Sequence, residues 1–135
     1  MEPNMEFLTP EEAIKVDAAL LSSKEKFSTR LAIYALRCLQ QIAEEKNCAI
    51  ADITPEQVIG WIKQDEKIRH QLEIDESFEV FFSRLVISSM KPLNQISKEL
   101  ETPVEELTVE QVVGWFEKDG KIRREKGNDA AFLDL

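Results

Sequence analysis

The sequence predicts an all-α fold: a five-helix single domain made of a tandem duplicated two-helix unit plus an N-terminal capping helix. Three observations predict it. Apolar residues recur three and four positions apart along each long segment, and no stretch alternates with period two for long enough to argue a strand. A block of nearly fifty residues repeats without a gap. Only four Gly and five Pro punctuate 135 residues, too few for long irregular loops. A chain of this length forms one domain and buries a core without staples.

The repeat fixes the organisation. Ile53-Thr54-Pro55-Glu56-Gln57-Val58-Ile59-Gly60-Trp61-Ile62 reappears as Leu107-Thr108-Val109-Glu110-Gln111-Val112-Val113-Gly114-Trp115-Phe116, an offset of 54 residues that holds from residue 26 to residue 72. A fragment of the same unit, Leu8-Thr9-Pro10-Glu11-Glu12-Ala13, opens the chain. The predicted layout is an N-terminal arm and cap helix over 1–22, repeat 1 over 23–72, repeat 2 over 76–127 and a tail over 128–135. The cap helix is expected to cover the exposed face of the first full unit, as terminal elements of repeat folds do.

Helix 1 is predicted over 10–21, where Thr9-Pro10-Glu11-Glu12 supplies an N-cap, a proline at the first helical position and a reciprocal acid. Helix 2, over 24–46, carries Phe27, Leu31, Tyr34, Ala35, Cys38 and Ile42 on one stripe. Ala32, Ile33 and Leu36 widen it, the mark of a central helix with neighbours on two sides. Helix 3, over 55–71, starts on the Thr54–Gln57 capping box. Helix 4, over 76–101, carries Phe78, Phe82, Leu85, Leu93, Ile96 and Leu100 on its stripe. Pro92 lies inside it, where a missing N–H and a ring clash predict a kink or break near Ser88–Lys91. Helix 5, over 109–126, repeats the box with Thr108 and Gln111. Gly60 and Gly114, each before a Trp, predict close approach of another helix backbone, with Trp61 and Trp115 filling core or, as a second reading, lining a ligand site.

Composition limits function. A net charge of −9 repels phosphate backbones and anionic membranes at long range. No apolar run approaches the ~20 residues that span a bilayer. The start of the chain resembles no secretory signal, and Cys38 and Cys48 form no disulfide framework, so a cytoplasmic protein with reduced thiols is expected. His70 is alone, so it cannot build a zinc site of the usual kind. The acidic cluster Glu99, Glu101, Glu105, Glu106 and Glu110 lacks the central Gly and ligand alternation of a calcium loop. There is no Gly-rich phosphate cradle. Neither a catalytic constellation nor a cofactor is expected.

Two features remain as candidate sites. Basic residues gather at the ends of equivalent helices: Lys67, Arg69 and His70 in repeat 1, and Lys121, Arg123, Arg124 and Lys126 in repeat 2. They either complement helix macrodipoles or bind an anion. The tail ends in Phe132, Leu133 and Leu135, apolar residues of the kind that dock into a partner's groove or pack onto their own core.

Leu93-Asn94-Gln95-Ile96-Ser97-Lys98-Glu99-Leu100, then Thr108 to Phe116, then Lys118-Asp119-Gly120-Lys121-Ile122, resembles a helix-turn-helix ending in a wing, with the same relation in repeat 1. That resemblance implies a DNA-binding regulator with two degenerate units. The turn carries extra residues from Thr102 to Leu107, and Glu56 and Glu110 open the recognition helices, where acid would face phosphate. The whole chain also resembles short uncharacterised helical proteins of cyanobacteria. The reading favoured by charge and architecture is a non-enzymatic protein-interaction or regulatory module that binds another protein; the alternative is the DNA-binding regulator.

Overall fold

Four reciprocal caps set where the helices begin. In the computed structural model, which describes residues 8–65 and 77–133 except the side chains of 77–79, Thr9, Ser22, Thr54 and Thr108 each accept a hydrogen bond from the backbone N–H three residues on. Glu12, Glu25, Gln57 and Gln111 return the bond to the cap's own N–H. Each box satisfies two backbone donors that a helix start otherwise leaves open, and an N-cap side chain contributes about 1 kcal/mol. They launch α1 (Pro10–Ala18), α2 (Ser23–Lys46), α3 (Pro55–Gln64) and α6 (Val109–Lys126). Between α3 and α6 lie α4 (Ser77–Ser88) and α5 (Met90–Leu100). No strand occurs among the described residues.

The kink expected from Pro92 is present. The fourth predicted helix is interrupted at Ser89, whose N–H is shared between the Leu85 and Val86 carbonyls while its hydroxyl also donates to Leu85. Pro92 falls in the first turn of α5, where its missing N–H has no intrahelical partner to lose. The duplicate position in α2 holds Cys38, and α2 runs through unbroken.

Local geometry recurs at the sequence offset. α2 ends on Asn47 and α5 on Glu101, both left-handed with φ of 51°. Short 3-10 turns follow at Ile50–Asp52 and Val104–Glu106, and then come the Thr54 and Thr108 caps. Each feature stands 54 residues from its counterpart.

α2 is the hub and touches each of the other five described helices. Its widened stripe buries Leu31, Ala32, Ile33, Tyr34, Ala35, Leu36, Cys38, Leu39 and Ile42. Phe82 and Val86 of α4, Leu93 and Ile96 of α5, and Val112 and Phe116 of α6 close on it. Tyr34 sits edge-on between Trp61 and Phe82, with centroids 5.7 and 5.4 Å away. Phe27 is the exception on the stripe: it stands at the first turns of α2 and is 41% exposed.

Two expectations are corrected and a third is extended. Among the described residues, the ideal Cβ positions at Gly60 and Gly114 have nothing within 4 Å, so no described backbone approaches there; Gly120 is crowded instead, where a Cβ would lie 2.7 Å from Glu25 Oε1. The segment 118–122, read as a wing, is the continuous interior of α6. α1 packs against both α2 and α6, reaching the second unit as well as the first. Lys15 pairs with Glu110 and Arg37 with Glu12, while Arg30 meets Asp17 at 2.6 Å.

Candidate functional site

The most elaborate polar arrangement is buried and joins three parts of the chain. Glu25, the capping acid of α2, accepts from the Arg123 guanidinium at 2.8 Å. The same guanidinium donates to Asp119 at 2.8 Å and to the Leu133 carbonyl at 2.6 Å. The side chains of Glu25, Arg123 and Asp119 are 5%, 11% and 6% exposed, so these charges sit almost out of water and depend on one another. Gly120 makes the approach possible, because any side chain there would occupy the space of the Glu25 carboxylate. Burial alone would push the Glu25 carboxyl up, but the Ser22 N–H, Arg123 and Arg124 outweigh it and hold it below the ordinary carboxylate value.

The tail is fastened to this knot. Asp119 accepts the backbone N–H groups of Phe132 at 2.7 Å and Leu133 at 3.2 Å, one on each oxygen. The Phe132 ring stands edge-on to Trp115 with centroids 5.6 Å apart, and the Lys91 ammonium lies 5.6 Å from its centroid. Leu133 packs on the core. Thus Phe132 and Leu133 are engaged by their own domain, with Phe132 still 37% exposed; Leu135 lies outside the described residues.

The candidate basic residues separate. Arg123 is committed to the knot, and Arg124 reaches Glu25 at 3.4 Å with half of its side chain in solvent. Lys121 and Lys126 are exposed at the end of α6. Lys67, Arg69 and His70 lie outside the described residues. Among the candidates, then, the structure brings together Arg123, Arg124, Phe132 and Leu133, and it joins them to Glu25, Asp119 and Gly120, which sequence reasoning did not single out. Ser22-Ser23-Lys24-Glu25 was a readable capping box, but the pairing of Glu25 with Arg123 has no local signal.

The two tryptophans differ in setting. Trp115 is buried and its indole N–H donates to Glu99 at 3.0 Å. That bond, against burial, holds the Glu99 carboxyl below its ordinary value, with Gln95 and Lys118 assisting. Trp61 is half-buried and borders a groove of about 330 Å3 with Arg37, Gln41, Glu45, Gln64 and Asp65. Asp65 accepts the Tyr34 hydroxyl at 2.7 Å. Burial, and then that bond, push the Tyr34 hydroxyl far above its ordinary value, so it stays a neutral donor.

The family model described as NDH complex assembly factor CRR9 matches residues 8–123. The chain belongs to this family. No curated protein and no solved structure matches it. The family match runs from Leu8, which is buried, to Arg123, and so takes in all three charges of the knot and both tryptophans. The Phe132–Leu133 anchor lies beyond it. Neither the winged-helix nor the cyanobacterial resemblance is carried by the match.

In this member of the family, among the described residues, no group of three His, Cys, Asp or Glu side chains is placed to hold a metal ion. No described helix is long and apolar enough to cross a membrane. Cys38 is fully buried, and burial, with Asp65 nearby, pushes its thiol up to about 12, which keeps it out of thiolate chemistry. What the arrangement offers is surface: a helical body with a fastened tail and a tryptophan-bordered groove.

Proposed function

We propose that the protein is a non-catalytic scaffold that assists assembly of an NDH complex by binding one or more of its protein components. The observation that carries this reading is the family match over residues 8–123. The molecule's physical character supports it. A net charge of −9 disfavours phosphate polymers as partners. Arg123, one of the basic residues that the sequence offers to an anion, is buried against Glu25 and Asp119.

The test is affinity capture of the tagged protein from native lysate, split into nuclease-treated and untreated halves, with native gels of the NDH complex from cells lacking the protein. The expected result is an NDH component retained after nuclease treatment and a depleted complex in the deficient cells. A complex of normal abundance, or partners lost with the nucleic acid, would overturn the proposal.

A further inference from the structure

The tail of this chain shows how one of its two tryptophan faces is filled, and the other face is built from the same residues. On repeat 2, Lys91, Trp115 and Asp119 hold the Phe132–Leu133 segment: Trp115 meets the Phe132 ring, Lys91 lies over it, and Asp119 takes two backbone N–H groups. Glu99 adjoins them, accepting the Trp115 indole N–H and the Gln95 amide. Moving back by the repeat offset of 54 residues leads to Arg37, Gln41, Glu45, Trp61 and Asp65. Gln, Glu, Trp and Asp are identical, and Lys is replaced by Arg. These five residues, with Gln64, line the 330 Å3 groove among the described residues. The exposure differs as this comparison requires: Trp115, under Phe132, is buried, whereas Trp61 is half-buried.

We propose that the Trp61 groove is a docking site for an extended segment of a partner protein in which an aromatic residue is followed by an apolar one, the chemistry that Ala131-Phe132-Leu133 presents to the Trp115 face. The partner's aromatic ring stands edge-on to Trp61, an arrangement that contributes about 0.5–1.5 kcal/mol beyond area burial. Asp65 occupies the place of Asp119 in this groove. One difference shapes the site. Asp119 lies within α6, whereas Asp65 caps the end of α3 and also receives the Tyr34 hydroxyl, so the two acids present their oxygens from different backbones. Arg37 likewise pairs with Glu12 and holds its guanidinium 5.7 Å from the Tyr34 ring centroid, which makes the rim of this groove stiffer than the lysine rim of the other. A single aromatic anchor in a preformed pocket is the usual centre of a peptide-sized interface.

This inference rests on the interaction-module reading above and narrows it to one surface. Its test uses the full chain, labelled with nitrogen-15, and the indole N–H signals of its two tryptophans, assigned with Trp61→Phe. The probe is a synthetic peptide, Asn-Asp-Ala-Ala-Phe-Leu-Asp-Leu, copied from residues 128–135. Saturable movement of the Trp61 signal is expected, at least tenfold weaker for the peptide with Phe replaced by Ala. The Trp115 signal should stay fixed, because the attached tail competes there at an effective concentration of about 1 mM or more. Movement of Trp115 alone, or of neither signal, overturns the proposal. So does a concentration-dependent dimer, in sedimentation without peptide, that Phe132→Ala abolishes, since a second copy's tail would then be the occupant. If the Trp61 signal is silent while NDH components still co-purify with the protein, the groove is refuted and the assembly reading stands.

Discussion

Gly60, Gly114 and Gly120 all lie inside helices, and the same substitution by Ala is expected to change stability in opposite directions. Glycine in a helix interior costs about 0.5–1 kcal/mol relative to Ala, through the backbone entropy lost on folding. At Gly60 and Gly114 an added Cβ meets nothing within 4 Å, so Ala recovers that amount. For a chain of this size this is a rise in melting temperature of roughly 2–5 °C. At Gly120 the Cβ would stand 2.7 Å from Oε1, 2.8 Å from Cδ and 2.9 Å from Oε2 of Glu25. An ordinary contact needs about 3.5 Å, so the carboxylate must retreat by roughly 0.8 Å. A glutamate free at its far end would do so at little cost. This one is held by the Ser22 N–H at 2.9 Å and Arg123 at 2.8 Å. Losing one charge-assisted bond costs about 1.5–3 kcal/mol. Set against the helix gain, Gly120→Ala is expected to lose about 1–2 kcal/mol, or roughly 3–10 °C. Thermal unfolding followed by circular dichroism at neutral pH measures all three. A Gly120→Ala protein that melts at or above the parent temperature would refute the reasoning that Glu25 is pinned against α6.

Three further outcomes follow from the same knot and its tail. Arg123→Ala strands two nearly dry carboxylates and should cost about 3–5 kcal/mol, whereas Arg124→Ala, half in solvent, should cost under 1 kcal/mol; urea unfolding of the pair checks this. Glu25 and Glu99 have folded pKa values below the unfolded one, so the unfolded chain binds more protons. The stability they add is therefore fully present above about pH 5 and lost as pH falls through their lowered values, an acid-side decline that Glu25→Gln should flatten in a pH series of urea midpoints. Phe132→Ala should unmask Trp115, red-shifting its fluorescence and lowering stability by about 1–2 kcal/mol; an unchanged emission in a Trp61→Phe background would show that the tail does not cover it.

The parts of the fold that could be read from the sequence are those whose physics is local. Thr54 and Gln57 lie within one helical turn, so their reciprocal bonds depend on no distant residue, and the helix starts at Pro55 as expected. Pro92 breaks its helix through its own ring. The widened stripe on α2 announced a helix with more than one neighbour, though not that it would be the hub of the other described helices. What could not be read depends on where remote chain arrives. Gly60 and Gly120 are both glycines inside amphipathic helices; only the position of Glu25, on another helix, separates an empty flank from a crowded one. Arg123 looked like the surface cation of a helix end until Glu25 and Asp119 took it out of solvent. Phe132 and Leu133 had two open readings, and Trp115 with Asp119 supplies the contacts that fasten them here.

Glu25 and Arg123 are 98 residues apart in the chain. On a ribosome adding about 5–20 residues per second, the cap of the central helix is made roughly 5–20 s before its counter-charge exists. During that interval Glu25 is a hydrated surface acid, and the apolar girdle of α2 that α4, α5 and α6 will cover is open to solvent. The nascent protein therefore passes through a period when its hub is formed but unclad. Burial of the whole girdle is complete only once the last helix has been synthesised.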